Sequence, residues 1–314
     1  MTFLRHALAG LATLAIGLSA QAQQTWFPSK WGPNDELGAA NYLTPQLAAE
    51  AAKLVKTGKT YSLGITVGTS TPAYPPRTCS IYIVQPGQAG SAEGLGPTKT
   101  TYNDDILNCW VGIGTQLDGL GHIGVGDRYY NGFKWQEIGQ ITGLKKLGAD
   151  KLPPFVTRGV LLDMAAYFGV DIVKEGTAFN KAEIEGAAKK QGVEIRQGDV
   201  VLFHTGWLSL IEKDPKRYAS VEPGLGREGA RYLVDKNVVA VGADTWGLEV
   251  IPFEPGAGIF EVHQILLPMS GTYILENVNT AELAKDKAYE FMFVLGQNKY
   301  QGSVQSMINP VAVR

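Results

Sequence analysis

The chain has 314 residues, and its 28 Lys and Arg against 30 Asp and Glu give a formal net charge of -2. With no Lys/Arg stripe in it, the sequence argues against nucleic acid and anionic membrane as partners, because both are held by concentrated positive charge. The length suffices for one sizeable core, and the balance of charge points to a small, not highly charged molecule as substrate.

Residues 1–22 read as a secretory signal peptide. Arg5 and His6 stand in a short polar start, and an apolar run over residues 7–20 follows, too short for a transmembrane span. Ala20-Gln21-Ala22 fits the small-x-small cleavage pattern, so Gln23 would begin the mature chain. No later stretch is long and apolar enough to span a bilayer. The expectation is a periplasmic or secreted protein, with residues 23–314 forming a single domain and no membrane contact after cleavage.

Along the chain, residues 45–55 form an Ala-rich amphipathic stretch that predicts a helix. Residues 61–67 read as a strand. Residues 69–97 are rich in Pro, Gly and Ser and predict long loops around one or two short strands. Residues 110–117 alternate and are Gly-rich, which predicts another strand. Residues 159–164, 200–204 and 238–243 are continuous apolar runs, the pattern of strands buried on both faces. Asn180, with Glu183 three residues on, opens a helix that should run to Gln191 and stop at Gly192. A further helix is expected over Arg227–Asp235. Strands alternating with helices predict an α/β domain with a mixed sheet. The two cysteines, Cys79 and Cys109, either bridge in an oxidising compartment or stay as buried thiols.

The histidines beyond the signal are His122, His204 and His263. In Gly114-Thr115-Gln116-Leu117-Asp118-Gly119-Leu120-Gly121-His122, a strand would place Gln116 and Asp118 on one face. The glycines after them let the chain turn, so that His122 swings back towards that face. Two oxygen donors and one nitrogen suit zinc or manganese better than copper. A second run starts at His263 and leads through Gly271 to Glu276, an acid set among apolar neighbours, where an unpaired carboxylate is costly. Plainer roles stay open for each: a turn at Asp118, a core hydrogen bond at Gln116, a structural imidazole at His122, and a buried His263–Glu276 pair without metal. His204 reads as structural or as a pocket-floor group. Trp110, Tyr129, Tyr130, Phe133 and Trp135 either wall a pocket for a planar substrate or simply pack.

The first run resembles the signature His-x-Gly-Thr-His-x-Asp-x-Pro-x-His of the metal-dependent cyclase family, which includes bacterial kynurenine formamidases and isatin hydrolases. Gly114, Thr115, Asp118 and His122 match it, whereas Gly112, Gln116 and Leu120 replace the first His, the second His and the Pro. His263, Glu276, the run 198–202 with Thr205-Gly206-Trp207, and Val241-Gly242-Ala243-Asp244 resemble further family motifs in the same order. The resemblance covers residues 35–314.

It implies a swivelling β/β/α fold, a homodimer or homotetramer, and hydrolysis of an amide or cyclic amide C–N bond. The metal set it implies is Gln116, Asp118, His122, His263 and Glu276 around one divalent ion, manganese or zinc. The expected roles give Gln116, Asp118 and His263 to the metal and proton transfer to His122. Glu276 would orient His122 or join the metal. The loss of two histidines also leaves room for a catalytically silent binding protein on the same fold, or for a lactonase or lyase.

Overall fold

A computed structural model describes residues 26–85 and 94–314. The expected signal peptide, residues 1–22, lies outside the described residues. No described helix is long and apolar enough to cross a membrane.

The strands in chain order are β1 (Thr60–Ser62), β2 (Cys79–Val84), β3 (Asp104–Cys109), β4 (Gln116–Asp118), β5 (Phe155–Asp163), β6 (Ala178–Phe179) and β7 (Val200–His204). They continue with β8 (Gly224–Leu225), β9 (Ala240–Ala243), β10 (Tyr273–Glu276), β11 (Glu290–Leu295), β12 (Gln305–Met307) and β13 (Val311–Val313). Nine of them form one mixed sheet in the order β1-β13-β11-β5-β7-β9-β10-β4-β12. The central strands β5, β7, β9 and β10 run parallel, and the neighbours on both flanks are antiparallel.

The parallel centre follows from sequence. Val200, Val201, Leu202 and Phe203 are all fully buried, as a strand covered on both faces requires. Helices Lys181–Gln191 and Arg227–Asp235 supply cover between these strands. The first begins at Asn180, whose N–H donates to Glu183 at 2.9 Å, and ends at Gly192, whose φ of 72° needs no Cβ. The Asn180 carboxamide oxygen accepts from Gly229 N at 3.0 Å, so the residue that opens one helix also satisfies the first turn of the other. Each large aliphatic side chain buried in this core contributes about 1.5–3 kcal/mol.

Elsewhere the sequence pattern overstated strand length. The strand expected over 61–67 is limited to Thr60–Ser62, and that over 110–117 to Gln116–Asp118. Gly114 is the physical reason for the second: its φ is +68°, and a Cβ there would lie 2.3 Å from Val67 Cγ2. The backbone turns at that point instead of extending. The helix expected over 45–55 ends at Ala52.

Strand β3 was not expected. It pairs with β2 as an antiparallel hairpin in which Cys79 faces Cys109, and the two cysteines form a disulfide. The question of bridge or free thiols is thereby resolved. Ile83 on this hairpin is 65% exposed.

Parallel strands share the direction of their C-terminal ends. Asp163, His204 and Glu276 close β5, β7 and β10, and Asp244 follows β9, so four titratable groups line one edge of the sheet. Ligands of open α/β sheets gather at this edge. Strand β4 runs antiparallel beside β10 with Gln116 opposite Glu276, and β12 adds Gln305 opposite Asp118.

Candidate metal centre

The register of three short strands brings the site together. On β4, Gln116 and Asp118 lie two residues apart and share a face, and the Gln116 Nε2 donates to Asp118 Oδ1 at 3.2 Å. The same nitrogen donates to Glu276 Oε2 at 2.6 Å. Gln305 Nε2, from β12, donates to Asp118 Oδ1 at 2.7 Å. Two carboxamides therefore hold two buried carboxylates in place.

His263 comes from the helix Glu261–Leu266. Its Nδ1 lies 2.6 Å from Glu249 Oε1, and its Nε2 lies 3.3 Å from Glu276 Oε1. Glu249 thus orients the ring and leaves Nε2 facing the carboxylates, the usual arrangement behind an imidazole that meets a metal. After β4 the chain turns, with His122 N donating to Gly119 O at 3.0 Å, and His122 Nε2 ends 3.7 Å from Asp118 Oδ2.

Asp118 Oδ2 is buried and has no hydrogen-bond partner. One donor atom each from Asp118, His263 and Glu276 lie within 4.8 Å of one another. Orphaned buried carboxylate oxygens are rare because each costs the full desolvation of a charged group. Two carboxylates and an imidazole around such an atom fit a divalent ion such as zinc or manganese.

All five residues singled out in the sequence meet here, with the geometry sorting their positions. Gln116 donates Nε2 to both carboxylates, Asp118 Oδ1 and Glu276 Oε2. Glu276 bonds to His263 and Gln116, not to His122, so the orienting role expected for it towards His122 is not what the geometry shows. His122 stands beside the cluster and reaches a cavity of about 140 Å³.

That cavity is walled by Tyr74, Trp246 and Phe260. Tyr74 stacks on Trp246 with ring centroids 5.7 Å apart and meets Phe260 edge-on. The aromatics near the first run do not line it. Tyr130 and Phe133 belong to the hydrophobic core, Tyr129 packs against it, and Trp110 and Trp135 are exposed. The rings that line the cavity are others, Tyr74, Trp246 and Phe260.

The electrostatics are those of crowded, buried acid. Burial and the charge of Asp118 push the Glu276 carboxyl above its ordinary range, against the pull of His263. Burial pulls His263 down, but its contacts with Glu249 and Glu276 outweigh that and raise it. Burial lowers His122, only partly opposed by Asp118. Glu222 lies just behind, accepting from Trp246 N at 2.8 Å and Gly247 N at 3.0 Å. Burial and Glu276 push it well up.

Four contributors were missed from sequence: Glu249, Gln305, Glu222 and Arg77. Arg77 Nη1 donates to Gly112 O at 2.8 Å and borders the cavity. A Cβ at Gly112 would lie 2.6 Å from Gln305 Oε1 and 2.8 Å from Arg77 Nη1. The two side chains thus fill the space beside residue 112.

Residues 61–250 match the model of a protein family described as "Putative cyclase". The solved structure of a novel cyclase is 33% identical, covers 91% of this chain and 98% of its own, and superposes with a TM-score of 0.82. The chain belongs to the cyclase family. Isatin hydrolase A from Ralstonia solanacearum, another solved structure, is 19% identical over 86% of this chain and 97% of its own, with a TM-score of 0.60. A predicted metal-dependent hydrolase from Bacillus stearothermophilus is 18% identical over 82% and 98%, with a TM-score of 0.54. These two share the cyclase fold. No curated protein matches the chain. Of the three histidine positions in the signature that the first run resembles, Gly112 and Gln116 occupy two and His122 the third.

Proposed function

We propose that this cyclase-family protein is an exported, metal-dependent hydrolase that cleaves an amide or cyclic amide C–N bond of a small molecule. The observation that carries the reading is the partnerless Asp118 Oδ2, buried where His263 Nε2 and Glu276 also converge. The solved structures of isatin hydrolase and of a predicted metal-dependent hydrolase on the same fold support it. The Cys79–Cys109 bridge supports export, since such bonds persist in oxidising compartments.

Asp118, His263 and Glu276 would hold one manganese or zinc ion. When bound, such an ion acidifies a water and polarises the scissile carbonyl. Glu249 fixes the His263 ring by its contact at Nδ1, and Gln116 fixes the two carboxylates relative to each other. His122 Nε2, kept neutral by burial, takes the proton of the attacking water and returns it to the leaving nitrogen. The aromatic wall of Tyr74, Trp246 and Phe260 excludes water and orients a flat substrate.

Gly112 and Gln116, standing where the signature has histidines, favour a second reading: a silent binder of the same small molecule. The test is hydrolysis of aryl formamides and cyclic amides, with elemental analysis of the same samples. The hydrolase reading expects turnover with stoichiometric manganese or zinc, and loss of both on Asp118→Ala. Turnover and metal content that both survive Asp118→Ala would overturn it, and bound substrate without turnover would favour the binder.

A further inference from the structure

We propose that Arg77 determines substrate specificity, and that the substrate is a compact, single-ring planar compound carrying one carboxylate group. The proposal rests on the hydrolase reading above and names the substrate class of that site.

Arg77 and Tyr74 reach the cavity from one turn, in which Arg77 N donates to Tyr74 O at 3.0 Å. The guanidinium is tethered a second time, by Nη1 to Gly112 O at 2.8 Å. Gly112 makes that tether possible, because a Cβ there would press on Nη1 and on the Gln305 carboxamide. A guanidinium carries five N–H donors in a rigid fork. Among the described residues, Gly112 O is the one hydrogen-bond partner of this fork; its charge is felt by Glu276, but no carboxylate forms an ion pair with it. A half-buried Arg bordering a cavity, with no carboxylate in ion-pair contact, is placed to receive an anion from outside.

The charges of the pocket point the same way. His263 is matched by Glu249, and Asp118 with Glu276 matches a divalent ion. With such an ion matching the two carboxylates, Arg77 would be the cation without a partner. Size and shape supply the rest. The cavity of about 140 Å³ is close to the ~150 Å³ that admits a benzene ring. The Tyr74, Trp246 and Phe260 rings offer flat faces and edges to such a ring. A carboxylate on that ring would meet the free side of the Arg77 fork, while the scissile carbonyl lies towards His122.

The probes are benzoate and benzamide, which share size and ring and differ in charge. Calorimetric titration of the metal-loaded protein should show benzoate binding at least about tenfold tighter than benzamide. Arg77→Gln should abolish that preference, bringing benzoate affinity down to that of benzamide in the same variant. Arg77→Lys keeps the charge but loses the fork, and should retain a reduced preference. Equal binding of the two probes by the unaltered protein would overturn the proposal. So would an undiminished preference in Arg77→Gln or a full loss in Arg77→Lys. Metal content of each sample reports on the hydrolase reading separately, so failure of one is distinguishable from failure of the other.

Discussion

Two histidines end beside carboxylates near the same edge of the sheet, and they are held for different ends. His204 closes β7, with Nδ1 2.8 Å from Thr280 Oγ1 and 3.3 Å from Asp244 Oδ2. Asp244 is fully served: Thr205 N at 2.8 Å, Thr205 Oγ1 at 2.6 Å and Gly206 N at 2.8 Å all donate to it. His263 stands beside Asp118 and Glu276, where Asp118 Oδ2 has no donor at all. A buried carboxylate whose oxygens are all satisfied by a neighbouring loop is a clamp between the two loops. One left short, with other donors converging on it, is a seat for a cation. His204 also borders the larger cavity, about 370 Å³, against about 140 Å³ at the metal centre. Cavity size is therefore the poorer guide to chemistry here, and the unmet valence of Asp118 the better one.

The contrast can be broken at the groups that orient each imidazole. Glu249→Gln keeps the size of the His263 partner and removes its charge. It should weaken metal binding about 10- to 100-fold, as changes behind a ligating imidazole do. Competition against a chromogenic chelator measures this, and unchanged affinity would remove Glu249 from the account. Asp244→Asn should leave metal affinity alone and cost about 1–3 kcal/mol of stability, because one buried N–H loses its acceptor. Denaturant unfolding checks the cost, and a parallel loss of metal would merge the two regions into one site.

A smaller effect is carried by pH. Burial pulls His204 down, but the hydrogen bond and charge of Asp244, with Asp163, outweigh it and raise the pKa above 6.5. The stability of the charged imidazolium is then present in full below about pH 6.5 and fades as pH rises through the raised value. His204→Gln should flatten that part of the stability profile. Thermal melts of both proteins across about pH 6 to 9 would show their difference shrinking with pH; a difference constant over that range would refute the assignment.

Half of the metal centre was legible because it is local. Gln116, Asp118 and His122 lie within one strand and one glycine turn, so period-two alternation places them without knowledge of the rest. Glu276 carried a mark of its own, an acid among apolar neighbours, but only the sheet order, which sets β10 beside β4, joins it and His263 to the first run. Glu249 had a readable mark: it sits between Leu248 and Val250, as Glu276 follows Leu275, and an acid in an apolar run must find a partner. Gln305 and Arg77 had none. One is an ordinary polar residue on an edge strand and the other follows two prolines in a loop, and both acquire meaning only beside Gly112. The aromatic wall was sought near the first run in sequence, where rings were dense, yet those rings pack in the core or face outward. In the fold, the parallel strands were legible from their apolar runs, whereas Gly114 cut short a strand that alternation alone would have extended.

The central claim is that Asp118, His263 and Glu276 form a cation site, and metal-induced stabilisation tests it most directly. Manganese or zinc at about 100 times its Kd should stabilise the unaltered protein by about 2.7 kcal/mol, seen as a rise in Tm of the chelator-treated sample. Asp118→Asn preserves the shape of the side chain and the acceptor for Gln116 and Gln305, and should gain nothing from the same addition. An equal rise in both proteins would contradict the account.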